Sequence, residues 1–454
     1  MEASFQETEL KTTSSFVWGF LEAGARLPID TDTPDLLLEL YSCWGFEAED
    51  SGDESFTVAR TYLVPRADAP GIRFVEGRRD TSLAACLAGE ETLIPLRELA
   101  APGIALPVDG LSVGDAGYPL VWETTLRFVT DDAGGDRKTQ AKLEALGRVR
   151  ERLGAAPNPL LEPRPELFWL AAAGDLMLGR GAAEILLREG PTGIFGETAG
   201  LLTAADLAIV NLEGALSHRG SRVEKTFNFR FPPVMAGILR DAGIDAALLA
   251  NNHIYDFGPD AFLDTLRHLE AADIGILGAG RDLEAAAAPF VFTKTGVPPV
   301  HAFGIASFPR EASGWDGLGI AAGEHTPGIL HAGRGGADRL KTRFSAEALD
   351  MVFFHGGNEW TTAPDARTRA LYTGLIIAGA DIIIGSHPHI VQGFEWIEGK
   401  PIFWSLGNYV FAGMENTGGG DEGLFIRLGF WGTKLIYIAP YPLALSGPRT
   451  RIAG

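Results

Sequence analysis

The chain has 454 residues, 46% of them hydrophobic and 21% charged, and a formal net charge of −21. That length suggests about two or three domains with a sizeable core. A surface this acidic repels nucleic acid and anionic lipid, so neither is expected as a general partner. An anionic small molecule or polymer can still bind locally where a metal supplies positive charge. No run approaches the ~20 apolar residues of a membrane span, so no integral membrane segment is expected. The acidic N-terminus, MEASFQETELKTTSSFVWGF, lacks the basic start and apolar core of a signal peptide, and no leader is expected. Cys43 and Cys86 have no paired metal spacing and read as buried thiols rather than a disulfide.

Residues 1–160 read as a first, small α/β domain. A loop leads from Pro28 into a helix carrying Leu36, Leu37 and Leu40 at helical spacing. Strands are expected at 57–64 and 118–128, and a short apolar helix at 83–87. Short proline-punctuated segments fall at 92–99 and 103–108, and a charged amphipathic helix at 138–153. The proline-rich stretch 158–165 reads as a linker. This region contains no histidine and no dense polar cluster, so its role is not legible.

The pattern changes in the second domain, residues 161–454. Buried strands are expected at 168–173, 207–210, 246–250, 351–354, 382–384 and 402–404, each followed by polar residues. Helical patterns lie between them at 182–188, 234–242, 259–271 and 367–378. Pro259 suits a first helical position, and Gly243 and Gly379 suit C-terminal caps. The alanine run at 285–288 is a strong helix former. This alternation predicts a largely parallel sheet with helices on its faces.

The residues after the strands carry the chemistry. Asp175, Glu213, Asn252-His253, His355, and His387 with His389 all follow apolar runs, at the strand ends where open α/β sheets bind ligands. Any one of these is most simply a helix cap or turn residue. Together they take four of the nine histidines. Two carboxylates, a carboxamide and three imidazoles make an oxygen/nitrogen site that suits a divalent Mn, Zn or Fe better than Mg or Ca. The set is large enough for two ions, which at roughly 3.5–4 Å separation clamp both oxygens of a phosphoryl displacement.

Gly174-Asp175, Asn211-Leu-Glu213, Ala250-Asn-Asn-His253 with Asp256 and Gly258, His355-x-Gly-x-Glu359, Gly385-Ser-His-Pro-His389 and Ser405-Leu-Gly-Asn408 resemble, in this order, the CapA family. Phe229-Arg-Phe231 fits the same pattern. That family is associated with poly-γ-glutamate capsule biosynthesis and belongs to the calcineurin-like metallophosphoesterase superfamily. The resemblance covers about residues 167–440. It implies a four-layer α/β/β/α sandwich, with a second sheet added to the simpler reading. It also implies metal-ligand roles for Asp175, Glu213, Asn252, His355, His387 and His389. His253 would be the general acid or transition-state donor, with Asp256 orienting it and Arg230 holding an anionic group. Glu359 would support the ligands from outside, or merely favour a helix start.

Two departures stand out. The superfamily's first motif usually carries a histidine two residues after the aspartate, where this chain has Met177. Glu213 also stands where an aspartate is usual. The expectation is therefore one firm metal position and a second that is weak or absent. Two functions compete. One is a metal-dependent hydrolase of the phosphoesterase type. The other is a non-catalytic, metal-containing component that binds polymer in capsule or envelope assembly. A vestigial site on a scaffold is the least favoured, because so many buried polar groups would lack a ligand.

Overall fold

The computed structural model describes residues 167–311, 313–414 and 417–453, together with the backbone of four earlier strands. The chain divides into two compact units, Met1–Glu166 and Leu167–Gly454. In the first, β1 (Gln6–Ser14), β2 (Arg26–Pro28), β3 (Ser55–Tyr62) and β4 (Trp122–Thr130) form an antiparallel sheet in the order β1-β4-β3-β2. The strands expected at 57–64 and 118–128 meet β3 and β4 with their ends displaced; β1 was not anticipated. The helices expected in this region, the proline-punctuated segments, both cysteines and the linker lie outside the described residues.

The second unit is mixed α/β with several sheets. The larger sheet runs β10-β9-β6-β5-β20-β21-β22, with β19 beside β5. Its members are β5 (Leu167–Leu176), β6 (Leu207–Leu212), β9 (Ala246–Leu248), β10 (Gly275–Leu277), β19 (Asn408–Val410), β20 (Glu422–Trp431), β21 (Lys434–Ser446) and β22 (Arg449–Ile452). The second sheet runs β12-β13-β15-β16-β18-β17. It contains β12 (Phe290–Phe292), β13 (Val300–Ser307), β15 (Leu349–Gly356), β16 (Ile382–Ser386), β17 (Val391–Ile397) and β18 (Lys400–Leu406). Two-stranded pairs join β7 (Ala215–Leu216) to β8 (Arg230–Phe231), and β11 (Ala279–Gly280) to β14 (Gly328–Ile329).

The single, largely parallel sheet read from strand–helix alternation is thus corrected to two mixed sheets. In the larger one β5, β6, β9 and β10 are parallel, but β20 lies antiparallel on β5 and continues into β21 and β22. In the second, β13, β15, β16 and β18 are parallel. These parallel strands read as near-continuous apolar runs because both faces are covered. β5, β6, β15 and β16 are buried along almost their whole length.

Helices α1 (Ala182–Glu189), α2 (Met235–Asp241), α3 (Gly258–Ala271) and α4 (Ala366–Ala378) match the anticipated patterns within a residue or two. On α4, Tyr372, Leu375 and Ile376 join Phe303, Val352, Phe354, Ile383, Ile402 and Trp404 in one core. Asp365 starts that helix by accepting from the Arg367 and Thr368 amides, and Gly379, at φ 126°, ends it. The sheets meet closely at glycine. A Cβ on Gly304 of β13 would stand 2.5 Å from the Leu277 carbonyl carbon, and one on Gly174 of β5 would stand 1.9 Å from the Gly407 oxygen.

Candidate metal centre

Each predicted ligand sits where a strand runs out. Asp175 is near the C-terminal end of β5, Glu213 directly follows β6, and Asn252 and His253 lie in the turn after β9. His355 is the penultimate residue of β15, and His387 and His389 follow β16. Because the two sheets are aligned at these ends, residues more than two hundred positions apart meet. The His387 amide donates to Asp175 Oδ2 at 3.3 Å, and His389 Nδ1 lies 3.2 Å from the same oxygen. His355 Nε2 is 3.0 Å from Asn252 Oδ1, and His355 Nδ1 is 3.8 Å from Asp175 Oδ1.

Glu213 Oε1 lies 3.7 Å from His253 Nε2 and 3.9 Å from His389 Nε2. All of these side chains are buried. Asp175, Glu213 and His355 offer ligand atoms within 4.8 Å of one another, so this buried group could hold a metal ion.

The donor set passes a test of fit. Among the described residues, Glu213 Oε1 and His387 Nδ1 are buried without a hydrogen-bond partner. An unanswered buried acceptor costs about 1–3 kcal/mol, so the folded chain carries an unmet demand for a positive or Lewis-acidic group. The electrostatics agree. Burial, then the neighbouring Asp175 carboxylate, push the Glu213 pKa up. Burial, then the other imidazoles, push His355 and His387 well down, keeping both neutral and able to coordinate. At His389 burial lowers the pKa as well, but the Asp175 hydrogen bond and the Glu213 charge outweigh it and lift the pKa to about 10. Oxygen and imidazole donors suit a transition divalent ion.

His387 and His389 both have left-handed backbones, at φ 97° and 57°. Non-glycine residues held there cost about 1–3 kcal/mol each. His387 also precedes Pro388, which ordinarily favours an extended conformation. Three contacts hold the turn: the His387 amide on Asp175, the Trp360 amide on the Pro388 carbonyl at 2.9 Å, and His389 Nδ1 at 2.9 Å from Asn408 Oδ1.

His253 is oriented from behind. Its Nδ1 lies 2.6 Å from Asp256 Oδ2, and its ring packs on Phe229 with centroids 4.3 Å apart. Burial, with Lys225 adding to it, lowers its pKa, while Asp256 opposes the shift. Asp256 also accepts from the Phe229 amide at 2.7 Å.

Of the other residues singled out from sequence, Arg230 and Met177 are turned away from the cluster, while Glu359 is near enough to act on Glu213 and His389 through its charge. The Arg230 guanidinium is exposed, lies 4.1 Å over the Phe257 ring, and donates to the Arg219 and Gly220 carbonyls at 2.9 and 3.4 Å. Glu359 is exposed at the rim. Met177 is buried, and its sulfur accepts from the Gly179 amide at 3.0 Å.

Other residues have roles that sequence reasoning missed. Asn211 Nδ2 donates to Asp175 Oδ1 at 2.8 Å and Glu213 Oε2 at 3.3 Å, and lies 3.1 Å from His355 Nδ1. Asn251 in turn donates to Asn211 Oδ1 at 3.1 Å and fixes its orientation. The Lys225 side chain is fully buried. Its Nζ donates to the Asn252 carbonyl at 2.7 Å, Asp256 Oδ1 at 2.9 Å and Glu311 Oε1 at 3.0 Å, and lies 4.2 Å over Trp315. The local signal for Lys225 is a cation two residues before the aromatic alternation Phe227-x-Phe229-x-Phe231, and Arg219, Arg222 and Arg230 nearby share it.

Comparison with known proteins places these features in context. A family model described as "Bacterial capsule synthesis protein PGA_cap" matches residues 169–413, more than half of the chain. The chain is 29% identical over 241 residues to the PGA biosynthesis protein CapA of Bacillus subtilis, a match covering 52% of this chain and 62% of the relative. It is 28% identical over 269 residues to the capsule biosynthesis protein CapA of Bacillus anthracis, covering 56% and 62%. A "Probable polyglutamine synthesis accessory protein" of Mycobacterium tuberculosis is 29% identical over 304 residues, covering 57% and 78%. The match thus spans less than two thirds of the two Bacillus relatives. No helix among the described residues is long and apolar enough to cross a membrane.

Proposed function

Because the chain belongs to the bacterial capsule synthesis family whose model spans residues 169–413, we propose that it is a metal-dependent hydrolase of the phosphoesterase type serving capsule or poly-γ-glutamate biosynthesis. Residues 161–454 would be the working domain, a four-layer α/β/β/α sandwich, with 1–160 a separate domain. The observation that supports the reading is the buried group of Asp175, Glu213 and His355, with Asn252 and His389 in contact with it and Glu213 Oε1 unanswered.

Those six residues would hold one firm divalent ion, Mn, Zn or Fe. A second position would be weak, because the Met177 sulfur is turned onto the Gly179 amide. When bound, the ion would polarise a phosphoryl oxygen and lower the pKa of water. The rest is done by the chain. Asp256 holds the His253 ring by Nδ1, so that Nε2 faces the Glu213 side of the cluster. Asp256 beside Nδ1 fixes the ring's orientation, so that Nε2 is the nitrogen presented for proton exchange with a leaving oxygen. Lys225 pairs with Asp256 Oδ1 at 2.9 Å and fixes that carboxylate in place. The rings of Phe229, Phe411 and Trp360 pack on the imidazoles and limit water there.

The test is metal analysis of protein purified without chelators, followed by hydrolysis of simple phosphodiesters and monoesters with Mn or Zn. We expect one tightly held ion, and a loss of about 10²–10⁴-fold in rate for His253→Ala with metal content unchanged. Full activity in that variant would remove the mechanism. The Met177 substitution also favours a second reading, in which the same centre binds an anionic polymer without cutting it. A metal-loaded chain that binds polymer, fails to hydrolyse any ester and loses binding on chelation would establish that alternative.

A further inference from the structure

The loop between β5 and α1 contains Arg180, whose backbone is left-handed at φ 51°. An arginine gains nothing intrinsic from that conformation, and such outliers persist only where the surroundings fix them. Here the surroundings are three aromatic rings. The guanidinium carbon lies 5.7 Å from the Phe227 centroid, 5.6 Å from Phe229 and 5.9 Å from Phe411. One donor, Nη1, is spent on the Ala412 carbonyl at 2.6 Å. Arg180 is exposed, and its Nε and Nη2 meet no acceptor among the described residues.

Two of the three rings belong to the metal centre. Phe229 packs on His253 at 4.3 Å, and Phe411 packs edge-on to His389 at 4.9 Å. A single ring therefore separates the guanidinium from the proposed proton donor on one side and from a proposed ligand on the other. Aromatic faces hold a guanidinium in place and leave its in-plane N–H donors pointing outward. A planar fork with free donors is the usual partner of phosphate and carboxylate. Arg230, exposed over Phe257, has its guanidinium engaged with backbone carbonyls instead.

We propose that Arg180 is a substrate-binding residue that grips a second oxyanion, one group removed from the group held at the metal centre. The inference rests on the metal-centre reading above. It implies a preference for substrates with two neighbouring anionic groups over those with one. Phe227, 57% exposed beside the guanidinium, would line the same approach.

The test uses the full chain loaded with Mn, titrated by calorimetry with inorganic phosphate and with pyrophosphate, in wild type, Arg180→Met, Arg180→Lys and the distant control Arg281→Met. Metal content is measured on every sample. We expect pyrophosphate to bind the wild type more tightly than phosphate. Arg180→Met should lose about tenfold or more in pyrophosphate affinity, a contact of about 1.4 kcal/mol, and much less for phosphate. Arg180→Lys should recover only part, because a lysine cannot reproduce the fork. Arg281→Met should match wild type. Equal losses for both anions, no loss in Arg180→Met, or no preference for pyrophosphate in wild type would each overturn the assignment. A wild-type chain that retains none of Mn, Zn or Fe would instead defeat the metal-centre reading, and metal analysis separates the two failures.

Discussion

The two ends of β15 carry buried polar residues of opposite character. At its start, Asp350 is fully buried and each of its oxygens is answered. His301 Nδ1 lies 2.9 Å from Oδ1, and the Ser345 amide donates to Oδ2. The Asp350 amide donates to Asp381 Oδ2 at 2.9 Å, and Asp381 is held by Lys400. At its far end, His355 is equally buried, but the cluster it joins leaves Glu213 Oε1 and His387 Nδ1 without partners among the described residues. Burial is alike at both ends. What distinguishes a structural network from a candidate site is the atoms the protein leaves unmatched.

That contrast can be broken most directly by substitution at each end. His355→Ala should abolish tight metal binding as read by metal analysis, with little loss of fold, because a demand for a cation has been removed. Asp350→Asn should do the reverse, retaining the ion while losing about 1–3 kcal/mol of stability in denaturant unfolding. Equal effects on metal content at the two ends would erase the distinction.

Lys225 tests whether a fully matched network behind the centre is also functional. Lys225→Met leaves Asp256 buried without its cation, which should cost about 3–5 kcal/mol of stability. It should also lower the rate while KM changes little, since the residue touches Asp256 and not substrate. A stable variant with unchanged rate would show that Asp256 does not need it.

The smallest effect is a pH dependence at His331, a buried histidine outside the cluster. Its Nδ1 accepts from the Gly333 amide at 3.0 Å, and burial, then Arg367, lower its pKa from 6.5 to about 4. The unfolded chain therefore binds this proton more readily than the folded one. Its effect on stability is nil above pH 6.5, and stability falls as pH drops toward 4. Between pH 7 and 5 this contributes a loss of about 2 kcal/mol, at 1.36 kcal/mol per unit. In His331→Gln that part of the acid sensitivity should vanish in urea titrations at the two pH values. An unchanged slope would assign it to other groups.

What the sequence made legible follows the range of the forces involved. Strand ends followed by Asp, Glu, Asn or His are local signals, and three residues read from them, Asp175, Glu213 and His355, bring ligand atoms within 4.8 Å of one another. The sheet's second half was not legible. β21 contains Pro440 and Pro442, residues that argue against a central strand, and both pair with β20 alone, ahead of Leu443–Ser446 where β22 joins. Arg180 and Lys225 were missed for a related reason: each acts through contacts across the fold that no spacing encodes. Arg230 sits inside a recognisable motif, whereas Arg180 is placed by rings from two distant segments.

The close pass of Gly174 against Gly407 has a mechanical consequence. There the polypeptide leaves β18 in one sheet and enters β19 in the other, and Asn408 pairs with Asp175 directly beside the crossing. Asp175 and Glu213 ride on the first sheet, His355 and His387 on the second. An ion gripped by all four would act as a rivet, so that occupancy would be felt as resistance to shear and as slower proteolytic nicking far from the centre itself.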